Sequence, residues 1–231
     1  MKVLIIVPAF NEEESLPEVL RDLRENMPSA EVLVVNDGSR DATARIARAM
    51  GLKVLDLPFN LGIGGAMQAG YLYAEQNAYD IAVQFDGDGQ HLASEIKKLF
   101  QPLAAGTADM VIGSRFLMPG TYRAPIFRML GIRLFSFIVS RILGTPVTDS
   151  TSGFRAANRR VIEFFSRIYP DDYPEVEALV LLHKMNMQIT EVAVTMRDRT
   201  GGRSSITAFR SVYYTIKVLL AIFIDLIKKV R

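Results

Sequence analysis

Two aspartates, Asp86 and Asp88, stand one glycine apart at the end of the apolar run Ile81–Phe85. A short apolar run bounded by turn residues predicts a buried strand. Alternation along a strand sends both carboxylates the same way, and Gly87 leaves room for a ligand between them. Two hard oxygen donors with the amide of Gln90 suit Mg2+ or Mn2+, leaving positions for water and phosphate oxygens. The competing reading is a polar turn, because Asp-Gly is ordinary turn chemistry.

The elements that must position this pair alternate along the chain. Predicted strands at Lys2–Val7, Glu31–Val35, Lys53–Leu57, Ile81–Phe85 and Asp109–Gly113 are separated by predicted helices. These helices cover about Glu13–Asn26, Asp41–Met50, Asn60–Gln76 and Ala93–Leu103. Such alternation predicts an α/β chain with a mostly parallel sheet and helices on both faces. Ligands of these sheets bind at the C-terminal ends of strands. Asn11, Asp37, Asp86, Asp88 and Arg115 all sit just past such ends. Asp37 and Asp41 are equally placed to cap the next helix. Gly62-Ile63-Gly64-Gly65 fits neither GxGxxG, because position 67 is Met, nor a Walker loop. It is either a tight packing turn or a phosphate contact.

Beyond Arg115 the alternation lapses. Ile126–Leu143 is strongly apolar yet carries Arg128, Arg133 and Arg141. On a helix, Arg133, Ser136 and Ser140 form one polar stripe, which predicts contact with an acceptor or lipid. Too much charge interrupts the segment for a membrane span of about 20 apolar residues. It is either an interfacial helix or a core helix with solvated arginines. The tail from Val212 to Ile227, ending Lys228-Lys229-Val230-Arg231, has the same character. Its readings are an interfacial helix drawn to anionic lipid and a docking helix for a partner or a second copy.

Composition sets outer bounds. The 231 residues can bury a sizeable core, and a formal charge of +2 gives no case for nucleic acid. With no cysteine there is no disulfide framework and no thiolate chemistry. The apolar start is too short for a signal peptide and reads as a first strand.

Six motifs in order resemble the inverting family-two glycosyltransferases, in their dolichol-phosphate mannosyltransferase-like, polyprenyl-phosphate-using branch. They are Val7-Pro8-Ala9-Phe10-Asn11-Glu12, Val35-Asn36-Asp37-Gly38-Ser39-Arg40-Asp41, Asp86-Gly87-Asp88-Gly89-Gln90 and Gly113-Ser114-Arg115. Asp149-Ser150-Thr151-Ser152-Gly153-Phe154-Arg155 and Arg199-Thr200-Gly201-Gly202-Arg203-Ser204 complete the set. The late element departs from the family pattern RxxGxSK, because Ser205 stands at the lysine position.

The resemblance implies a GT-A-type fold over 1–206, including an interfacial helix at about 124–144, and a C-terminal amphipathic helix at 207–231. It implies a nucleotide-diphosphate sugar donor and a polyprenyl-phosphate acceptor. Pro8, Phe10, Glu12, Asp37, Asp86, Gly87, Asp88, Arg115, Val176 and Arg199 fall on the donor side. Arg128, Arg133, Ser136, Arg155, Arg203 and Ser205 fall on the acceptor side. Asp86, Asp88 and Gln90 would hold the metal, and Asp88, Asp149 and Arg115 would act in catalysis. The enzyme would sit peripherally on the cytoplasmic membrane face, serving cell-envelope glycan synthesis or glycosylation, with a small membrane-embedded subunit or a homo-oligomer as further partners. Two rival readings remain: transfer to a saccharide hydroxyl with Glu175, Glu177 or Asp149 as base, and a non-catalytic nucleotide-sugar-binding scaffold.

Overall fold

The computed structural model describes residues 1–118, 126–171, 174–197, 217–224 and 227, with 126–128 described by backbone alone. The expected alternation runs β1 (Val3–Ala9), α1 (Leu16–Asn26), β2 (Glu31–Asn36), α2 (Thr43–Ala49), β3 (Lys53–Asp56) and α3 (Gly62–Gln76). It continues through β4 (Ile81–Gln84), a 3-10 turn at Ala93–Glu95, α4 (Ile96–Ala104) and β5 (Met110–Ser114). Helix α1 starts later than Glu13 because the loop before it is tied sideways. The Glu12 amide donates to Thr43 Oγ1 and the Glu13 amide to Asp41 Oδ2.

The second half adds α5 (Ile126–Leu143), β6 (Arg155–Asn158), α6 (Arg159–Phe165), α7 (Pro174–Lys184) and β7 (Ile189–Ala193). The seven strands form one sheet in the order β3-β2-β1-β4-β6-β5-β7. Strand β6 is antiparallel to both neighbours, and the other pairs are parallel. The sheet is therefore mostly parallel, as the alternation predicts, and β6 wedges between β4 and β5.

Alternate residues of the central strands feed two cores. Leu4, Ile6, Leu33, Val35 and Ala82 pack with side chains of α3, α5, α6 and α7. Val3, Ile5, Val7, Val34 and Val83 pack with α1 and α4 on the other face. Residues 217–224 are helical, and Val218 and Ile222 join the first core. At roughly 25 cal/mol per Å2 of apolar area, each fully buried branched side chain stabilises this sandwich by about 1.5–3 kcal/mol.

Glycine 64 shows how tightly α3 is packed. A Cβ there would stand 2.2 Å from the carbonyl oxygens of Pro170 and Asp171. The glycine cluster thus serves packing at this position, where the loop after α6 crosses the start of α3.

Candidate active site

At the C-terminal ends of β1, β2 and β4 lies a cleft of about 230 Å3, lined by Pro8, Phe10, Glu12, Asp37, Ile63, Asp86, Gly87 and Asp88 among others. Seven residues expected to meet a nucleotide sugar therefore share one cavity. A depression at the other end of β1, lined by Lys2, Glu31 and Tyr79, lies away from the strand ends that gather ligands in such sheets.

Each wall is built locally. The carboxylate of Asp37 accepts the amides of Leu61 at 2.7 Å and Gly62 at 2.9 Å, satisfying donors at the start of the 15-residue helix α3. Asp37 therefore caps α3, whereas Asp41 takes the Thr43 amide at the start of α2. On the opposite wall, Ser15 Oγ lies 2.7 Å from Glu12 Oε2 and 2.8 Å from the Gly87 carbonyl, locking the loop after β1 to the Asp86–Asp88 turn.

The Asp86 carboxylate is steered by three neighbours. Oδ2 lies 3.0 Å from Nε2 of His91, and the Gln84 amide donates to Oδ1 at 3.4 Å. His91 is buried and stacks on Phe154, with ring centroids 4.8 Å apart. Burial pushes the Asp86 carboxyl up, but the His91 hydrogen bond and charge, the Gln84 amide and the Arg115 charge together hold it below its usual range. From sequence, no site role falls to His91, which closes the Asp86 stretch, or to Gly153, which lies inside the Asp149–Arg155 motif and whose Cβ position is filled by Asp86.

These donors fit a divalent metal. Asp88 Oδ1 accepts the Gln90 amide at 3.1 Å, and the Gln90 carbonyl accepts the Arg197 amide at 2.9 Å, so the turn is held from both ends. Among the described residues no cluster of three or more His, Cys, Asp or Glu gathers as a closed metal cage. An open site with hard carboxylate oxygens, the rest completed by water and phosphate, is what Mg2+ or Mn2+ takes.

Arg115, just past β5, lies behind this cleft, and its positive charge acts on both Asp86 and Glu175. Its Nε and Nη2 reach Asp149 Oδ2 and Oδ1 at 2.6 and 2.7 Å, and Nη2 also reaches Thr151 Oγ1 at 3.1 Å. Asp149 has no exposed side-chain surface, and both its oxygens are taken by Arg115. A carboxylate so engaged has no route to a substrate proton. Asp149, expected to act in catalysis, is thus placed to hold Arg115 and not to serve as a base.

Three further expectations change. Arg155 is 1 % exposed and donates to the carbonyls of Ser150, Ser152 and Glu175, so it staples the loop before β6 to the start of α7 instead of facing an acceptor. Ser136 is buried and donates to the Thr148 carbonyl, and Ser140 accepts the Val147 amide. The stripe therefore splits: both serines hold the 147–150 loop, whereas Arg133 is exposed. The Val176 side chain lies wholly in the core and offers no side-chain contact to a donor. Glu175 beside it has its carboxyl raised by burial, with Arg155 opposing and Asp86 adding to the rise. Arg199, Arg203, Ser205 and the side chain of Arg128 lie outside the described residues.

Residues 4–165 match the model of Glycosyl transferase family 2. Undecaprenyl-phosphate mannosyltransferase of Micrococcus luteus is 33% identical over 216 residues, covering 90% of this chain and 88% of that protein. UDP-N-acetylglucosamine–dolichyl-phosphate N-acetylglucosaminyltransferase of Methanococcus voltae is 32% identical over 212 residues, covering 83% and 84%. The fold is that of glucosyl-3-phosphoglycerate synthase from Mycobacterium tuberculosis, solved with Mn2+, UDP and glucosyl-3-phosphoglycerate. The superposition has a TM-score of 0.74 at 21% identity and covers 97% of this chain and 79% of that one. With the strand order, the cleft and the aspartate pair in place, the chain belongs to glycosyl transferase family 2 and is a glycosyltransferase with a GT-A fold.

Proposed function

We propose that this glycosyltransferase moves a sugar from a nucleotide-diphosphate donor onto a polyprenyl phosphate, with inversion, at the cytoplasmic face of a membrane. One observation carries the reading: the buried Asp149, one of the three carboxylates open to a base role, spends both its oxygens on Arg115. A saccharide hydroxyl needs a general base to take its proton. A phosphate monoester, with a second pKa of about 6, arrives already ionised. Its oxygen bonds to the anomeric carbon as the bond to the diphosphate breaks, and the leaving nucleoside diphosphate keeps the electron pair. The names of the lipid-phosphate transferases among its relatives support this acceptor.

Asp86, Asp88 and Gln90 would hold Mg2+ or Mn2+. When bound, that ion neutralises charge on the departing diphosphate. Pro8, Phe10 and Glu12 shape the nucleoside end of the cleft, and Asp37 holds the start of α3 against it. Arg115, oriented by Asp149, adds fixed positive charge where two phosphate groups must approach.

Among the described residues no helix is long and apolar enough to cross a membrane. Leu130, Leu134 and Phe137 on α5, and Leu220, Phe223, Ile224 and Ile227 near the C-terminus, are exposed apolar side chains. With Arg133 and Arg141 also exposed on α5, they suit peripheral docking on anionic lipid. Supplying UDP- and GDP-sugars with either polyprenyl phosphate or the dephosphorylated polyprenol tests the reading. Glycolipid should form from the phosphate alone; equal use of the alcohol would overturn it.

A further inference from the structure

We propose that Glu191 is a positioning residue that sets Arg115 for transfer, through two hydrogen-bonded arms that grip the arginine from both sides. This rests on the reading that Arg115 faces the phosphates of the reaction. Glu191 lies on β7, paired with Ile112 of β5, whose strand leads into Arg115.

The first arm runs through Asp149. The Asp149 amide donates to Glu191 Oε1 at 2.8 Å, and the Asp149 carboxylate then takes Nε, Nη2 and the backbone amide of Arg115. The second arm runs through hydroxyls. Thr148 donates its amide and its Oγ1 to Glu191 Oε2, each at 2.8 Å. Having given its proton to Glu191, Thr148 Oγ1 accepts from Ser114 Oγ at 2.6 Å, and Ser114 Oγ accepts the Phe116 amide at 3.2 Å. Ser114 and Phe116 flank Arg115 in the chain. Both arms thus start at Glu191: one closes on the Arg115 guanidinium and amide, the other on the backbone that flanks Arg115.

Both Glu191 oxygens face donors, three in all, so an ionised carboxylate satisfies every one of them. An amide at this position turns an N–H2 toward at least one donor. Glu191→Gln therefore breaks an arm while changing shape hardly at all, and an unmet donor in such a place is costly.

A double-mutant cycle separates positioning from general damage. Glu191→Gln should lower transfer to polyprenyl phosphate by about tenfold or more, as for a lost hydrogen bond to a charged group. In an Arg115→Lys background the same change should cost less than about twofold, because residues acting through one network are not additive. Equal fold-losses in both backgrounds, or no loss in the parent, would overturn the proposal. A second readout needs no substrate. The Nε–H resonance of Arg115, assigned by its loss in Arg115→Lys, should shift and exchange faster with solvent in Glu191→Gln; an unchanged resonance overturns the proposal. If the parent transfers nothing to polyprenyl phosphate, the acceptor reading has failed and this resonance alone decides the role of Glu191. If Glu191→Gln does not fold, Thr148→Val cuts the hydroxyl arm alone. It should then move the Phe116 amide resonance and slow transfer, and a silent Thr148→Val counts against the arm.

Discussion

A Cβ on Gly153 would stand 2.8 Å from Oδ2 of Asp86 and 3.2 Å from Oδ1. The loop before β6 therefore walls in the Asp86 carboxylate, close to the same oxygen that His91 meets. Gly153→Ala should push Asp86 off its position at a folding cost of about 1–3 kcal/mol. Calorimetry should show Mn2+-dependent UDP or GDP binding weakened by about tenfold or more, as when the supporting shell of a metal ligand is disturbed. Asp88→Asn should lower turnover by about a hundredfold or more with little change in melting temperature. Full activity of Asp88→Asn, or of the parent in chelator, would contradict the metal site.

The Arg115–Asp149 pair predicts a stability effect as well as a kinetic one. Asp149→Asn leaves a buried guanidinium without its anion, which costs about 3–5 kcal/mol. Denaturant unfolding should show this loss, and transfer should fall. Were Asp149 a proton acceptor instead, turnover would collapse in the Asn variant with stability nearly intact.

Much of this was legible in the chain. Strands β1, β2, β4 and β5 are apolar runs that stop at charged or small residues, so their ends, and the site, could be placed by pattern. Strand β6 could not. Its four residues, Arg155-Ala156-Ala157-Asn158, carry no apolar alternation, and the two alanines give too weak a pattern to mark a strand paired with both β4 and β5. Arginine is normally solvated, so the burial of Arg155 by three carbonyls had no signal in its neighbours. The helical stripe of Arg133, Ser136 and Ser140 was real as spacing, but spacing does not say which edge turns inward.

Asp109 ties the starts of β5 and β7 to the end of β6. It accepts from Asn158 Nδ2 at 2.8 Å, from the Gln188 amide at 2.8 Å and from Arg160. Burial raises its carboxyl, but those three partners outweigh it and hold it below its ordinary 3.8. A depressed carboxyl contributes stability above its unfolded pKa and loses it as pH falls through the folded one. Asp109→Asn should therefore unfold more easily than the parent at pH 7, by about 1–3 kcal/mol. The gap should shrink once the pH falls below 3.8. A pH-independent gap would contradict this assignment.

Phe137 is 63% exposed on α5, with the Arg141 guanidinium 5.8 Å from its ring centre. Phe137→Glu should leave the melting temperature nearly unchanged, because little packing is lost. Cosedimentation with vesicles containing anionic lipid should fall by about tenfold, in line with the transfer energy of one aromatic side chain. Added salt should weaken the parent's binding further. Equal sedimentation of parent and variant would place the docking face elsewhere.

The most direct measurement is of the bond that is made. Purified protein with Mn2+, isotopically labelled nucleotide sugars and vesicles carrying polyprenyl phosphate should yield a lipid whose sugar is joined through phosphate, identified by its phosphodiester 31P resonance. One nucleoside diphosphate should appear for each such lipid, and the anomeric configuration should be opposite to the donor's. Label joined instead to a saccharide hydroxyl, or released only as free sugar, would contradict the account.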